Sequence, residues 1–124
     1  MKDESTQTLD LQQLSFDYAL HAIKLYQFVQ QTKDDTGQII GKEYLQAAIA
    51  IGCHLRETQK TIECEDKYQI AQKEARKSIF LLQLLAGAEI VPQNRISTLI
   101  TQTKDLLAAI AAITSEDEPL NPTN

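Results

Sequence analysis

The sequence is poor in residues that interrupt or cross-link a chain. Its 124 residues include no tryptophan, three prolines, four glycines and two cysteines. So few turn-forming residues favour a helical fold over a turn-rich one, and a chain of this length can bury one core without disulfide staples. Apolar residues make up 43% and charged residues 23% of the composition, as in ordinary globular chains. We therefore expect a single all-α domain.

The few cysteines and histidines do not form a recognisable metal site. Cys53 and Cys64 have no CxxC spacing and no suitably placed histidine, so we interpret them as reduced, buried or half-buried thiols. His54 and Glu57 share one helical face, but di-iron bundles require two Glu-x-x-His motifs and further carboxylates. A phosphate loop and a nucleophile elbow are also missing. We predict no metal, no cofactor and no enzymatic activity.

The net charge of −5 is concentrated at the two ends of the chain. Residues 1–10 carry one base and three acids, and residues 115–124 carry three acids, so residues 11–114 are neutral with 11 bases and 11 acids. A neutral body lacks the basic excess of a strong nucleic-acid binder. There is no signal segment, and no uninterrupted apolar run approaches the ~20 residues of a membrane span. These features predict a cytoplasmic protein with no membrane partner.

Apolar residues recur at spacings of three and four along four segments, which predicts four helices at about 15–32, 38–60, 62–86 and 93–114. Ser15 is the predicted N-cap of the first helix, a loop covers 33–37, a tight reversal lies near Thr61, and Pro92 precedes the last helix. The predicted inward residues are Phe16, Ala19, Leu20, Ile23, Tyr26 and Val29; Ile40, Tyr44, Ala47, Ala48, Ile51, Leu55 and Thr58; Ile62, Tyr68, Ala71, Ala75, Ser78, Leu82 and Leu85; and Ile96, Leu99, Ile100, Thr103, Leu106, Leu107, Ile110 and Ile113.

The segments before the first predicted helix and after the last one are interpreted as terminal tails. By composition, residues 1–12 and the acidic residues 115–124 are predicted to be disordered. Four helices with short connections predict an antiparallel up-down-up-down four-helix bundle over residues 13–114.

The third helix is apolar nearly all round at Phe80, Leu81 and Leu84. Since a helix in a lone bundle usually keeps a polar outer face, this extra apolar face predicts burial against another subunit.

Two stretches resemble a known family. IGCHLRET at 51–58 resembles its SIGAN-x-REA motif, and AQKEARKSIFLLQLL at 71–85 resembles its IALKEA-x-ET-x-YWL-x-LL motif. The family is the small bacterial "four helix bundle protein" family, which includes proteins encoded in intervening sequences of 23S rRNA genes and is related in fold to the accessory variability determinant of diversity-generating retroelements. The sequence departs from it at Cys53, His54 and Leu81, where the family has Ala, Asn and often Trp.

The resemblance spans about residues 14–114. It implies an antiparallel four-helix bundle that assembles as a ring-like homopentamer, with no established enzymatic activity. In the retroelement relatives the ring is basic and works with a reverse transcriptase and nucleic acid. By resemblance, such an accessory role is the alternative function for this chain.

Polar residues in the two matched stretches have two interpretations. In the first they fix helix register or join subunits, together with the apolar positions of the third helix. The contacts predicted on this interpretation are Gly52, Arg56, Glu57, Lys73, Glu74, Phe80, Leu81 and Leu84. In the second, cations on shared helical faces form a basic strip for phosphates. That strip comprises Arg56, Lys60, Lys73, Arg76 and Lys77.

Acidic neighbours of the strip would cancel most of its field, so the first interpretation is favoured. The sequence thus predicts a non-enzymatic bundle that binds copies of itself and offers a surface to an unidentified protein partner. A nucleic-acid-binding accessory protein is the alternative.

Overall fold

The structure is a computed structural model that describes residues 4–57 and 65–117, with side chains at 10–57 and 67–114. It contains four α-helices in these ranges: α1 (Glu4–Thr32), α2 (Asp35–Glu57), α3 (Glu65–Gly87) and α4 (Gln93–Asp117). Each helix packs against the next along the chain, and α1 closes the ring against α4. The predicted all-α four-helix bundle is confirmed.

The core takes one residue at every third or fourth position of each helix. These positions are Leu11, Ser15, Tyr18, Ala22, Leu25 and Val29 in α1; Gly37, Gly41, Tyr44, Ala48, Ile51 and Leu55 in α2; Tyr68, Ala71, Ala75, Ser78, Leu82 and Leu85 in α3; and Ile96, Leu99, Thr103, Leu106, Ile110 and Ile113 in α4. Alternating spacings of three and four average about 3.5 residues, the heptad repeat of coiled coils. Such a repeat favours the small crossing angles of four-helix bundles.

The inward residues predicted for the last three helices are confirmed wherever the structure describes them, although Ile40, Ile100 and Leu107 are only half-buried. Thr58 and Ile62 lie outside the described residues. For α1 the prediction is wrong: Phe16, Leu20 and Ile23 are exposed, and of the predicted set Val29 alone is fully buried. The helix carries two apolar stripes, and the prediction followed the one that faces outward.

Two helix ends also differ from the prediction, so the disordered tails predicted at 1–12 and 115–124 are wrong for residues 4–12 and 115–117, which are helical. The first helix begins at Glu4 instead of near Ser15, because Leu11 and Ser15 already belong to the buried repeat. Ser15 is therefore not an N-cap; its Oγ donates to the Gln12 carbonyl at 2.9 Å inside the helix. The last helix continues to Asp117, past the predicted end at 114. Residues 1–3 and 118–124, and the reversal predicted near Thr61, lie outside the described residues.

The connection between α1 and α2 is shorter than the predicted loop at 33–37. Lys33 adopts a left-handed backbone conformation with φ 57°, which ends α1. Asp34 then caps α2: its Oδ1 accepts a hydrogen bond from the Gly37 N–H at 2.7 Å. The chain thus reverses over Lys33 and Asp34 alone.

Around the connection between α3 and α4, α3 ends and α4 begins close to where the sequence predicts. Glu89, with φ 61°, turns the chain, and the Ile90 and Val91 N–H groups donate to the Leu85 carbonyl at 3.0 and 3.2 Å. The Pro92 carbonyl accepts from the Ile96 N–H at 3.3 Å, so α4 begins directly after the proline. The first turn of α2 touches this connection, since a Cβ added at Gly37 would lie 2.7 Å from Ile90 Cγ2.

Three hydroxyl groups from three helices form a chain of hydrogen bonds in the middle of the core. Tyr44 Oη donates to Tyr18 Oη at 2.9 Å. Thr103 Oγ1 donates to the Leu99 carbonyl at 2.7 Å, which leaves Tyr18 Oη to donate to Thr103 Oγ1 at 2.6 Å. Tyr18 therefore joins α1, α2 and α4 at one point in the core.

The tyrosine pair is held by ring packing as well as by its hydroxyls. The rings of Tyr18 and Tyr44 meet edge to face, with centroids 6.4 Å apart and an interplanar angle of 82°. Burial raises the pKa of each phenol above its ordinary value, and for Tyr44 the neighbouring Tyr18 adds to this effect. Both phenols therefore remain neutral donors. Because a buried polar group without a partner is costly, the chain favours one rotation of each helix about its axis.

By length and composition alone, one described helix could cross a membrane: the segment Gln93–Thr114 of α4, with a mean hydropathy of 1.3. Its repeat positions from Ile96 to Ile113 pack in the core of the bundle. Core helices pass the same test.

We predict that replacing the central tyrosine is more costly than replacing its donor. Tyr18→Phe leaves the Tyr44 hydroxyl buried without its acceptor and removes the donor to Thr103, so it should lower the free energy of unfolding by about 1–3 kcal/mol. Tyr44→Phe removes only one donor and should cost about 1 kcal/mol or less. Urea denaturation measures both. An equal or larger loss for Tyr44→Phe would contradict the assigned direction of the chain.

A second prediction concerns the contact between the first turn of α2 and the connection from α3 to α4. Gly37→Ala should lower the free energy of unfolding by about 1–3 kcal/mol, because Ile90 Cγ2 is held on a branched carbon and cannot swing away without moving its loop. The matched control is Gly87→Ala, where an added Cβ meets nothing within 4 Å and should be neutral or stabilising by up to about 1 kcal/mol. Thermal unfolding distinguishes them, and equal effects would refute the contact.

Candidate assembly surface

The second apolar stripe of α1 is exposed. Phe16, Leu20 and Ile23, which we call the outer stripe, follow one another at spacings of four and three, on the opposite side of α1 from the core. They are 50%, 44% and 37% exposed. Ile49 of α2, 42% exposed, extends this surface across the next helix. A groove of about 220 Å³ runs between the helices, lined by Phe16, Ile49 and the exposed Cys53 among others.

A smaller apolar patch lies between α2 and α3. Lys77 Nζ is 3.5 Å from Glu43 Oε1, so the turn of α2 that carries Glu43 lies beside the turn of α3 that carries Lys77. Because the helices are antiparallel, moving one turn from this pair toward the start of α2 and the end of α3 places Ile39 at the level of Phe80, and Leu84 follows one turn further along α3. All three are exposed. We call them the α2–α3 patch.

The predicted apolar contacts of the third helix divide into two groups. Phe80 and Leu84 are exposed, at 59% and 39%, and are available to a partner. Leu81 is only 8% exposed and belongs to the chain's own core. The prediction that Leu81 contacts another subunit is therefore wrong, because the α3 face toward α2 is already covered within the bundle.

Gly52 and Arg56 lie at the groove between α1 and α2. A Cβ added at Gly52 would be 3.5 Å from Ser15 Oγ, which is ordinary van der Waals contact. The packing at this position within the bundle therefore does not require glycine. Arg56 is exposed beside it.

Among the charged residues predicted to fix helix register or join subunits, Glu57 forms an ion pair between two helices. Glu57 Oε1 accepts from Lys67 Nζ at 2.7 Å, joining α2 to α3. Lys67, and to a smaller degree His54, lowers the pKa of Glu57 below its ordinary value. Lys73 is exposed, and the half-buried Glu74 accepts a hydrogen bond from Ser78 Oγ through its backbone carbonyl. Glu57 thus contributes to helix register, through Lys67.

The predicted basic strip is spread over different surfaces. Arg56 lines the groove on the α1 side of α2. Lys73, Arg76 and Lys77 are exposed on α3, and Lys77 pairs with Glu43. Lys60 lies outside the described residues. Nucleic-acid binding by this strip stays a prediction.

The residues considered for metal chemistry do not converge. Within the described part of the chain, no three His, Cys, Asp or Glu side chains are placed to hold a metal ion. His54 Nδ1 is buried and has no hydrogen-bond partner there. Cys53 is exposed, so the prediction that it is buried or half-buried is wrong: it lies one turn beyond Ile49 on the outer surface of α2. Cys64 lies outside the described residues.

Comparison with known proteins relates the fold to one small helical family. No family model matches the chain, and no curated protein sequence does. Among solved structures, the chain is similar to a protein of unknown function from the S23 ribosomal protein family of Bacteroides thetaiotaomicron, with a TM-score of 0.77 and 22% sequence identity. The match covers 83% of this chain and 96% of the other. At this identity the likeness shows the fold alone.

Sequence reasoning missed the apolar surface of α1 because it assigned those residues to the core. A signal was present: Leu11, Ser15, Tyr18 and Ala22 start a second repeat at spacings of four, three and four. A helix with two such repeats can bury only one in its own bundle. The other repeat is then left exposed on the surface of α1.

Proposed function

We propose that this protein is a non-enzymatic helical bundle that associates with copies of itself and serves as an interaction or scaffold module. The observation that carries the proposal is the exposed outer stripe of Phe16, Leu20 and Ile23, extended by Ile49. Contiguous exposed apolar surface on a small protein is typical of an interaction site. Burying it against a second copy would remove large apolar side chains from water, each contributing on the order of 1 kcal/mol.

The distribution of apolar surface favours a ring over a simple pair. In a two-fold dimer the same patch faces itself, whereas a closed ring joins two different patches of each subunit. This chain has two: the outer stripe with Ile49, and the α2–α3 patch of Ile39, Phe80 and Leu84. We infer that the first patch of one copy packs on the second patch of the next.

The number of subunits rests on resemblance. The motifs at 51–58 and 71–85 resemble the bacterial four helix bundle protein family, for which a ring-like homopentamer is expected, and membership of that family is part of this proposal. The likeness of the fold to the S23 ribosomal protein family member supports a related small helical family.

Self-association predicts that the mass of the protein in solution depends on Leu20. Light scattering on the full chain at micromolar concentration should give a multiple of 13.9 kDa. Leu20→Gln should weaken association roughly tenfold, because it places an amide in the outer stripe.

The matched control is Leu14→Gln. Leu14 is also on α1 and is 48% exposed, against 44% for Leu20, but it lies in the groove toward α4. Leu14→Gln should leave the mass of the assembly equal to that of the natural chain. A monomeric mass for the natural chain would refute self-association, and equal dissociation by both variants would refute the assigned surface.

A further inference from the structure

We propose that the seam between α1 and α4 binds one phosphate group of a small molecule. A groove of about 350 Å³ opens there, along the side of α1 that faces α4. Its polar lining consists of His21, Lys24, Asn94, Arg95, Thr98 and Gln102. We call this set the seam site; it requires no association between copies and does not depend on the proposed function.

The seam site concentrates positive charge. Lys24 from α1 and Arg95 from α4 both line it, and no acidic side chain is among its lining residues. Asn94 and Arg95 belong to the first turn of α4, where the helix dipole is positive; the Arg95 N–H itself donates to the Pro92 carbonyl at 3.1 Å. Arginine and lysine side chains beside a helix N-terminus suit a phosphate group.

Two contacts hold the site in shape without a ligand. The Arg95 guanidinium carbon lies 4.4 Å from the centroid of the Phe28 ring, so the exposed cation is stacked on an aromatic face. His21 Nδ1 lies 2.9 Å from Gln102 Nε2, which ties the two helices together at the other end of the groove. A site that is already ordered loses less entropy when a ligand binds.

The surroundings favour a small ligand over a strand of nucleic acid. Asp17 and Asp105 lie about one turn beyond His21 and Gln102 along the same seam, one on each helix. A polyanion following the seam would meet both carboxylates, whereas a single phosphate group beside Lys24 and Arg95 would not. The floor of the groove is apolar, formed by Leu25 and Leu99, and can cover the organic part of a small ester.

The test is an NMR titration of the full chain at low salt with three separate probes: inorganic phosphate, adenosine monophosphate and a short single-stranded oligonucleotide. Backbone and side-chain shifts should change at the seam site with the first two probes. Lys24→Gln and Arg95→Gln should each weaken binding roughly fivefold, the range for exposed charge pairs. The control is Lys104→Gln, an exposed lysine on α4 outside the groove, which should change nothing.

Each result decides the proposal. Shift changes at the seam that both seam variants reduce and the Lys104 variant does not would support it, and adenosine monophosphate binding more tightly than phosphate would identify an ester. No shifts at millimolar phosphate and nucleotide, or binding that ignores Lys24 and Arg95, would overturn it. Binding of the oligonucleotide alone would also overturn it in favour of a nucleic-acid surface.

Discussion

The hydrogen bonds of the Tyr18 hydroxyl are the constraint on which the rest of this structure depends. Tyr18 accepts from Tyr44 and donates to Thr103, so α1, α2 and α4 are joined at one point that water does not reach. Rotating α1 about its axis would leave these buried hydroxyls unpaired, at a cost of a few kcal/mol. One orientation of α1 therefore satisfies the core.

That orientation decides what the protein shows to its surroundings. Two apolar repeats compete for the interior along α1, and the one that begins with Leu11 and contains Tyr18 is buried. Phe16, Leu20 and Ile23 are then turned outward beside Ile49, and His21 and Lys24 are turned toward α4. A single choice of rotation produces both the apolar surface that we assign to self-association and the cationic groove that we assign to a phosphate group.

The sequence predicts much of this fold because in the last three helices the repeat chosen from the spacing is the buried one, and Pro92 marks the start of α4. It fails at α1 for a physical reason. Counting apolar residues favours Phe16, Leu20 and Ile23 over a repeat containing Ser15 and Tyr18, since hydroxyl groups count against burial. Their cost is removed only by partners on other helices, such as Thr103, which lies 85 residues from Tyr18. The candidate surface was missed for the same reason, and the seam site combines residues from the first and last helices.

The central claim, that the outer surface of α1 and α2 is covered by a second copy, can be tested through Cys53, which lies in the groove between Phe16 and Ile49. Cys64→Ser leaves Cys53 as the only thiol. Its alkylation rate, measured across a range of protein concentrations, should fall as concentration rises and return when Leu20→Gln is added. A rate that is fast and independent of concentration would contradict the account.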